Sequence, residues 1–370
     1  MRVLYSGAGI VLDPCLVGMH FHRWPQGSPL SSAPSYGFGT VRSHDYDPNN
    51  PGVRWFQFNI ADGAYDWTSF DAWVGAHALA GRRLIHTIYG TPGYLKTSNT
   101  LDPYGRPGGA SPPADSGSGF PAVQAMVTAL INRYNDGTSQ GRKIWGVEVW
   151  NEPNFAGVES GFWWGTAAQM VDMARAVTIG RNASVDPGVK VLSPGFVDGN
   201  FNRGGILDTF LSTESAMAPG TYGADWYDET AVHIYGRGYD WAWKDRTEVA
   251  VSGLKKTLAT YPAAAGRPWH VTEQGTGGAL DGVVSPWLAF RPDQKGLWQA
   301  RHVVLQGIMG AKSVCLFSHD NLAGADFREP TWAAPINRVH EELAGKTVTH
   351  AVVRADRTFE LIADGQVVRL

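Results

Sequence analysis

The sequence predicts an α/β protein in which a (β/α)8 TIM barrel carries a small β appendage. Apolar, β-branched segments typical of strands buried on both faces alternate along the chain with segments of helical periodicity. The 370 residues suffice for such a barrel, which takes about 250 residues and grows with its loops. The C-terminal segment instead alternates apolar and polar residues, as antiparallel strands do. We expect the barrel over residues 15–345 and the appendage from residues 1–14 and 346–370.

The composition argues against several classes of partner. The formal net charge is −3, so there is no basic excess for nucleic-acid binding. No apolar run approaches the roughly 20 residues of a membrane span. The short apolar start, broken by Asp13 and Pro14, is not a convincing signal peptide. The compartment and the oligomeric state are therefore left open. No phosphate loop or dinucleotide fingerprint is present, and we expect no cofactor.

Two cysteines, Cys15 and Cys315, are too few for a disulfide framework. They fall beside the first and within the last predicted barrel strand, which are neighbours in a closed barrel, so a bridge is conceivable. Free thiols are the favoured interpretation, because unpaired cysteine commonly serves as a small buried hydrophobe.

The first half of the chain contains four predicted strands and two helices. The helix from Pro121 has the clearest pattern, because its apolar residues recur at the spacing of a helix lying on a barrel. The helix before it begins at a capping Thr68 or Ser69 and ends at Gly81. A Gly-, Pro- and Ser-rich loop over residues 96–119 is expected to wall a substrate cleft. The strands are expected over residues 16–19, 37–42, 83–89 and 143–150, with a hairpin-like excursion within 53–67.

The second half continues the alternation of strand and helix. After the last helix, Asp364-Gly365 marks a tight turn between strands of the appendage, with which the N-terminal strand could pair. The expected strands cover residues 189–194, 230–235, 268–275 and 313–318, and the expected helices cover about 166–182, 206–211, 247–261, 292–310 and 335–344.

The segment Lys143–Phe155, KIWGVEVWNEPNF, carries the strongest functional signal. Pro153 cannot donate to a sheet ladder, so the buried strand ends there and leaves Glu152 at its C-terminal mouth. In a parallel barrel, that mouth is where the chemistry occurs. Glu148 shares the parity of Glu152, but it lies about 13 Å deeper along the strand. We interpret Glu148 as a buried, paired carboxylate and Glu152 as the reacting one.

The string Trp150–Asn154 resembles the acid/base motif of the large (β/α)8 clan of retaining glycoside hydrolases. Within that clan the chain is most similar to glycoside hydrolase family 39, which contains β-xylosidases, iduronidases and exopolysaccharide hydrolases. Gly63-Ala-Tyr-Asp-Trp67 and the Thr-Pro after the third strand, with Tyr94 in the aromatic place, also match the family. The resemblance spans roughly residues 16–345.

The resemblance implies a pair of catalytic glutamates on the fourth and seventh barrel strands. Glu152 would be the general acid/base, and Glu273, at the mouth of the seventh strand, the nucleophile. A retaining mechanism needs their carboxyl groups about 5–5.5 Å apart. Arg42 and Tyr235 are expected to keep Glu273 charged, while a drier site keeps Glu152 protonated.

Further substrate-binding residues follow from the same resemblance. Asn151 would hydrogen-bond the 2-hydroxyl of the sugar, an interaction that strengthens in the transition state. Tyr235 and His233 share parity on the sixth strand, next to the nucleophile. His22 is expected to hydrogen-bond substrate. A metal is not expected at His20 and His22, because no third ligand is evident.

Aromatic residues favour a carbohydrate partner. The chain has 15 Trp, and flat aromatic faces bind the C–H faces of sugar rings. Trp164, Trp241, Trp243 and Tyr94 are the candidate platforms. The positions whose turn-rich or polar context weakens a core explanation are Trp24, Trp55, Trp67, Trp163, Trp164, Trp241, Trp243, Trp287 and Trp332.

The sequence therefore predicts a retaining hydrolase of β-glycosidic bonds. The long loop and the tryptophans favour an endo-acting enzyme on a polysaccharide or exopolysaccharide. An exo-acting β-glycosidase on short oligosaccharides is the alternative within the class, and a catalytically silent glycan-binding barrel is the alternative outside it.

Overall fold

The computed structural model describes residues 2–20, 37–44, 53–103, 105–138, 143–155, 159, 161–197, 201–235, 242–275, 292–317, 330–354 and 358–370. In chain order the strands are β1 (Arg2–Val11), β2 (Val17–His20), β3 (Thr40–Ser43), β4 (Asn59–Ala61), β5 (Ala64–Tyr65), β6 (Arg83–Thr87), β7 (Gly146–Glu148), β8 (Lys190–Leu192), β9 (Phe196–Val197), β10 (Thr230–His233), β11 (Trp269–Gln274), β12 (Ala311–Phe317), β13 (Thr347–Val353), β14 (Phe359–Ala363) and β15 (Gln366–Arg369).

Eight parallel barrel strands form a closed ring, which confirms the predicted fold. The sheet runs in the order β8-β7-β6-β3-β2-β12-β11-β10-β9, and every pair in it is parallel. Both β8 and β9 belong to the fifth barrel strand, which residues 193–195 interrupt. β8 pairs with β7 and β9 with β10, and a parallel bridge between Leu192 and Glu229 completes the closure. The carboxyl ends of all these strands therefore open on one face.

Helices cover the outside of the ring. The face that α3 buries is the one predicted from periodicity, including Met126, Leu130 and Tyr134. α4 starts at a capping box in which Thr166 and Gln169 each bond the other's backbone N–H. The helices are α1 (Trp55–Phe58), α2 (Thr68–Leu79), α3 (Pro121–Asn135), α4 (Ala167–Asn182), α5 (Ile206–Ser212), α6 (Ala242–Thr260), α7 (Pro292–Ile308) and α8 (Pro330–Leu343).

Three helix starts differ from the prediction. α8 begins at Pro330, five residues before the expected start, because Pro330 rather than Pro335 takes the first-turn position that suits proline. α6 also begins five residues early, at Ala242. The start of α2 lacks a Thr68 or Ser69 side-chain cap, and the Thr68 N–H donates instead to Asp66 Oδ1 at 3.0 Å.

The appendage is a separate four-stranded antiparallel sheet in the order β1-β13-β14-β15. The N-terminal strand thus pairs with the C-terminal ones, and Asp364 and Gly365 form the expected turn with φ of 46° and 79°. Arg301 on α7 ties the sheet to the barrel by donating to the Leu370 carbonyl at 2.8 Å. That residues 15–345 form a domain distinct from this appendage stays a prediction.

The expectations for the hairpin, the thiols and the tryptophans have different outcomes in the structure. The excursion within 53–67 is a hairpin of β4 and β5. Cys15 and Cys315 are both free thiols. Trp55 and Trp163 are fully buried, so their assignment to non-core positions was wrong. In the part of the chain with described coordinates, no helix is long and apolar enough to cross a membrane.

Candidate active site

Five charged side chains converge at the carboxyl ends of the barrel strands. Arg42 lies on β3, Glu148 ends β7, His233 ends β10 and Glu273 lies on β11. Glu152 follows β7 by four residues. Parallel strands place their carboxyl ends on one face, which brings residues distant in sequence together.

Glu148 is the anchor at the bottom of this cluster. Its carboxylate accepts two hydrogen bonds from Arg42, from Nε at 2.7 Å and from Nη2 at 2.9 Å. Thr87 and Thr272 donate to it as well, at 3.0 and 3.3 Å. Burial by itself would raise the pKa of Glu148, but the charges and hydrogen bonds of Arg42 and His233 together outweigh it and hold the pKa at about 2. Glu148 is thus the buried, paired carboxylate expected from its position.

Glu273 receives donors from two directions. Arg42 Nη1 donates to Oε2 at 2.9 Å, and the Tyr235 hydroxyl donates to Oε1. Burial nevertheless raises the pKa of Glu273, with the nearby Glu152 carboxylate adding to the rise and His233, Arg42 and Tyr235 opposing it. Arg42 and Tyr235 lower this pKa, but burial and the Glu152 charge outweigh all the lowering contacts. That Arg42 and Tyr235 keep Glu273 charged stays a prediction.

Glu152 stands at a strained corner of the backbone. Its φ is +43°, a left-handed conformation that non-glycine residues rarely adopt. The Glu152 N–H donates to the Gly195 carbonyl at 3.0 Å, which ties this corner to the interrupted fifth barrel strand. The side chain of Glu152 is 20% exposed, against 8% for Glu273. Asn151 beside it accepts from Arg42 Nη2 at 2.8 Å.

His233 links all three carboxylates. Its Nδ1 lies 2.7 Å from Glu152 Oε1 and 3.6 Å from Glu273 Oε2, while Nε2 lies 3.8 Å from Glu148 Oε1. Burial pulls the pKa of His233 down, but Glu273 and the other two glutamates raise it to about 9. The imidazole is therefore positively charged at neutral pH. Two cations, Arg42 and His233, then face three carboxylates.

The spacing of the two mouth glutamates suits a shared reaction. Glu152, His233 and Glu273 each offer one atom, and these atoms lie within 4.8 Å of one another. One oxygen of Glu152 and one of Glu273 thus lie within 4.8 Å of each other, which is compatible with the ~5–5.5 Å carboxyl separation of retaining glycosidases. The same three residues could in principle hold a metal ion. A metal needs a neutral imidazole, whereas the raised pKa keeps His233 protonated, so the donor set suits proton transfer better.

Solved structures with the same barrel are glycoside hydrolases. A family 39 β-xylosidase from Caulobacter crescentus matches with a TM-score of 0.64 at 19% identity, over 97% of this chain and 79% of that one. A family 39 enzyme from Xanthomonas axonopodis pv. citri matches with a TM-score of 0.62 at 19% identity, over 96% and 72% of the two chains. A family 30 endoxylanase from Clostridium papyrosolvens C71 matches with 0.59 at 12%, over 100% and 83%.

The chain has the fold of these family 39 structures. No protein-family model and no curated protein matches the sequence. At identities below 20%, the likeness establishes the barrel and its strand order, which confirms the predicted structural resemblance. The roles of individual residues have to be argued from the geometry of this chain.

The predicted sugar-binding aromatic residues differ in exposure, and some lie outside the described residues. Trp164 is only 8% exposed, and its indole N–H donates to the Gly161 carbonyl, so its ring has little free surface for stacking on a sugar. Tyr94 is 39% exposed and donates to Asn59 Oδ1, so its predicted role stays a prediction. His22 and Trp241 lie outside the described residues, as does the side chain of Trp243.

Gly195 is a site residue that the sequence did not reveal. A Cβ built on it would lie 2.4 Å from Glu148 Oε1 and 2.5 Å from His233 Nε2. Its backbone also accepts the Glu152 N–H and donates to the Trp150 carbonyl. Only a residue without a side chain lets the fifth barrel strand approach both groups so closely. The only sequence signal was a Ser-Pro-Gly interruption at the end of an apolar strand.

Replacing Gly195 by Ala is expected to lower kcat about 100-fold, because displacement of His233 by about 1 Å misorients Glu152. Steady-state kinetics on an aryl β-glycoside would measure this. Gly117→Ala is the matched control, since a Cβ there meets nothing within 4 Å. Equal kcat values for the two variants would contradict the positioning role of Gly195.

The His233 cluster also predicts a pH dependence of stability. The folded-state pKa of about 9 lies above the ordinary 6.5, so the protonated imidazole stabilises the fold fully below pH 6.5. That contribution, up to about 3 kcal/mol, is lost as pH rises through 9. Urea unfolding at pH 6.5 and 9 should show a larger drop for the wild type than for His233→Gln. Parallel drops in the two proteins would contradict this assignment.

Proposed function

We propose that the protein is a retaining β-glycoside hydrolase, with Glu152 as general acid/base and Glu273 as nucleophile. The observation that carries the proposal is the pair of carboxylates at the carboxyl face of the barrel, with one oxygen of each within 4.8 Å of the other. Glu273 is surrounded by hydrogen-bond donors, and Glu152 is more exposed. The β-specificity rests on the resemblance to the clan, and the barrel shared with known glycoside hydrolases supports the reaction class.

The proposed mechanism requires a proton on Glu152 and an ionised Glu273. Ionised Glu273 is stabilised by Arg42, Tyr235 and the charge of His233, whereas among the described residues Glu152 has the side-chain contact with His233. Hydrogen bonds and cations favour the ionised form of the carboxyl that has more of them. Protonating Glu152 also removes the negative charge that disfavours ionised Glu273. The two glutamates thus occupy the complementary states that double displacement requires.

The reaction proceeds in two balanced steps. Glu273 attacks the anomeric carbon while the bond to the leaving oxygen breaks, and Glu152 gives that oxygen its proton. Glu152, now a carboxylate, then takes a proton from water as the water oxygen attacks the anomeric carbon and releases Glu273. Asn151, held by Arg42 at 2.8 Å, is positioned for the 2-hydroxyl of the same sugar.

Proton NMR during hydrolysis of β-glycosides tests this function. We expect the first product to be the β-anomer, with the α-anomer growing in only through mutarotation. A panel of aryl β-pentosides and β-hexosides supplies the substrate. An α-anomer formed first would contradict the double displacement, and no turnover across the panel would favour the glycan-binding alternative.

One observation favours the exo-acting alternative over endo action. The endo prediction relied on an open groove lined by tryptophans, yet Trp55, Trp163 and Trp164 are buried. The long loop is also joined to the segment after Glu152, because Ser98 and Thr100 both donate to Glu159. Size analysis of products from a polysaccharide panel distinguishes the two, since an exo enzyme releases one small product from the first time point.

A further inference from the structure

A cavity of about 270 Å³ opens beside Glu152. It lies between the loop that follows Glu152, the β9 segment of the fifth barrel strand and the first residue of α5. Its apolar walls are Pro153, Phe162, Phe196, Val197 and Ile206.

The cavity lies on the leaving-group side of the reacting bond. Glu152 lines it, whereas Glu273 and the groups that hold Glu273 do not. In double displacement the nucleophile contacts the sugar that stays on the enzyme, and the general acid contacts the oxygen that departs. A substrate bound for the proposed reaction therefore has its departing group next to Glu152, at this cavity.

The described walls are poor partners for hydroxyl groups. Glu152 and Asn154 are the polar side chains among the described residues that line the cavity, and Glu152 is committed to the leaving oxygen. A sugar ring would carry several hydroxyls into this space, whereas the described walls offer Asn154 as the remaining polar side chain, and an unbonded buried hydroxyl is unfavourable. An apolar ring loses nothing there and gains by leaving water.

The volume sets the size of the departing group. Apolar cavities of about 150 Å³ already admit benzene, so 270 Å³ has room for one substituted ring. We propose that this cavity takes a single apolar ring, and that the natural substrates are small glycosides of aromatic or similarly apolar alcohols. The inference rests on the proposed function and specifies its substrate class.

The test compares two leaving groups on one sugar. A phenyl β-glycoside fills the cavity, whereas the β-glycosyl fluoride of the same sugar has no ring to place there. Val197→Thr makes the β9 wall of the cavity more polar with little change of shape. Ile206→Thr makes the wall formed by α5 more polar. We expect each substitution to lower the phenyl-to-fluoride ratio of kcat/KM about tenfold. Val185→Thr, at an exposed position, is the control and leaves the ratio at its wild-type value.

The outcomes distinguish the apolar-cavity inference from the proposed hydrolase function. A ratio unchanged in both Val197→Thr and Ile206→Thr overturns the apolar cavity while the hydrolase assignment stands. A wild-type kcat/KM for the matching β-linked disaccharide equal to or above that for the phenyl glycoside overturns it too, because a sugar then fits the site at least as well. Failure to hydrolyse any β-glycosyl fluoride in a panel of pentoses and hexoses overturns the proposed function, and this inference with it.

Discussion

Replacing Glu273 by Gln is expected to lower kcat on the order of 10⁵–10⁶-fold for every glycoside that the enzyme accepts. The amide keeps the size of the side chain but has no charge with which to attack the anomeric carbon. Arg42 can still donate to the amide oxygen, and the Tyr235 hydroxyl can accept from the amide N–H, so we expect the fold and the substrate affinity to be largely preserved. The measurement is kcat on a dinitrophenyl and on an alkyl β-glycoside, with dissociation constants from titration of the inactive variant.

Glu152→Gln provides the contrast that distinguishes the two roles. With an alkyl leaving group, the missing proton costs about 10²–10⁴-fold in kcat. With dinitrophenolate, which departs without a proton, the first step stays fast and the glycosyl-enzyme accumulates as a burst, because its hydrolysis lacks a base. Glu341→Gln, exposed on α8, is the control and should behave as wild type. A burst in Glu273→Gln but not in Glu152→Gln would mean that the two roles are reversed.

The positions of Glu148 and Glu152 could be predicted from the sequence because they follow from local backbone geometry and strand parity. Pro153 cannot continue a sheet ladder, which put Glu152 at the mouth of the barrel, although in the structure β7 already ends at Glu148. Parity and depth then separated Glu148 from Glu152, and the structure shows Glu148 buried in a bidentate pair with Arg42. Periodicity identified the buried face of α3 for the same reason, since a helix on a barrel has only one way to bury its apolar stripe.

What escaped prediction depended on contacts between distant segments. The need for glycine at position 195 arises only once the fifth barrel strand lies against His233 and Glu148. The pKa of Glu273 rises because burial and the Glu152 charge act together, and neither can be read from neighbours in the sequence. Trp163 looked exposed from its local context, yet its ring lies edge-on against Trp150 at 5.0 Å between centroids. Composition cannot separate a core tryptophan from a sugar platform.

Replacing Arg42 by Met is expected to destabilise the protein by about 3–5 kcal/mol, the cost of leaving a buried charge without its partner. Glu148 has no exposed surface, and its low pKa depends on the Arg42 charge above all other favourable contacts. Chemical unfolding at neutral pH measures the change. Arg133→Met is the matched control, since Arg133 also makes a bidentate pair, with Asp71, but is 41% exposed. Such an exposed pair contributes about 1 kcal/mol or less.

The double variant Arg42→Met with Glu148→Gln separates the two tasks of Arg42. Removing the Glu148 charge removes the unpaired anion, so we expect the double variant to be more stable than Arg42→Met alone. Activity should not return, because Glu273 and Asn151 each still lack the donor that Arg42 supplies. Loss of one such preorganised donor costs about 10²–10³-fold in kcat. If stability and kcat recovered together, Arg42 would act only by holding the fold, and its proposed role in keeping Glu273 ionised would be wrong.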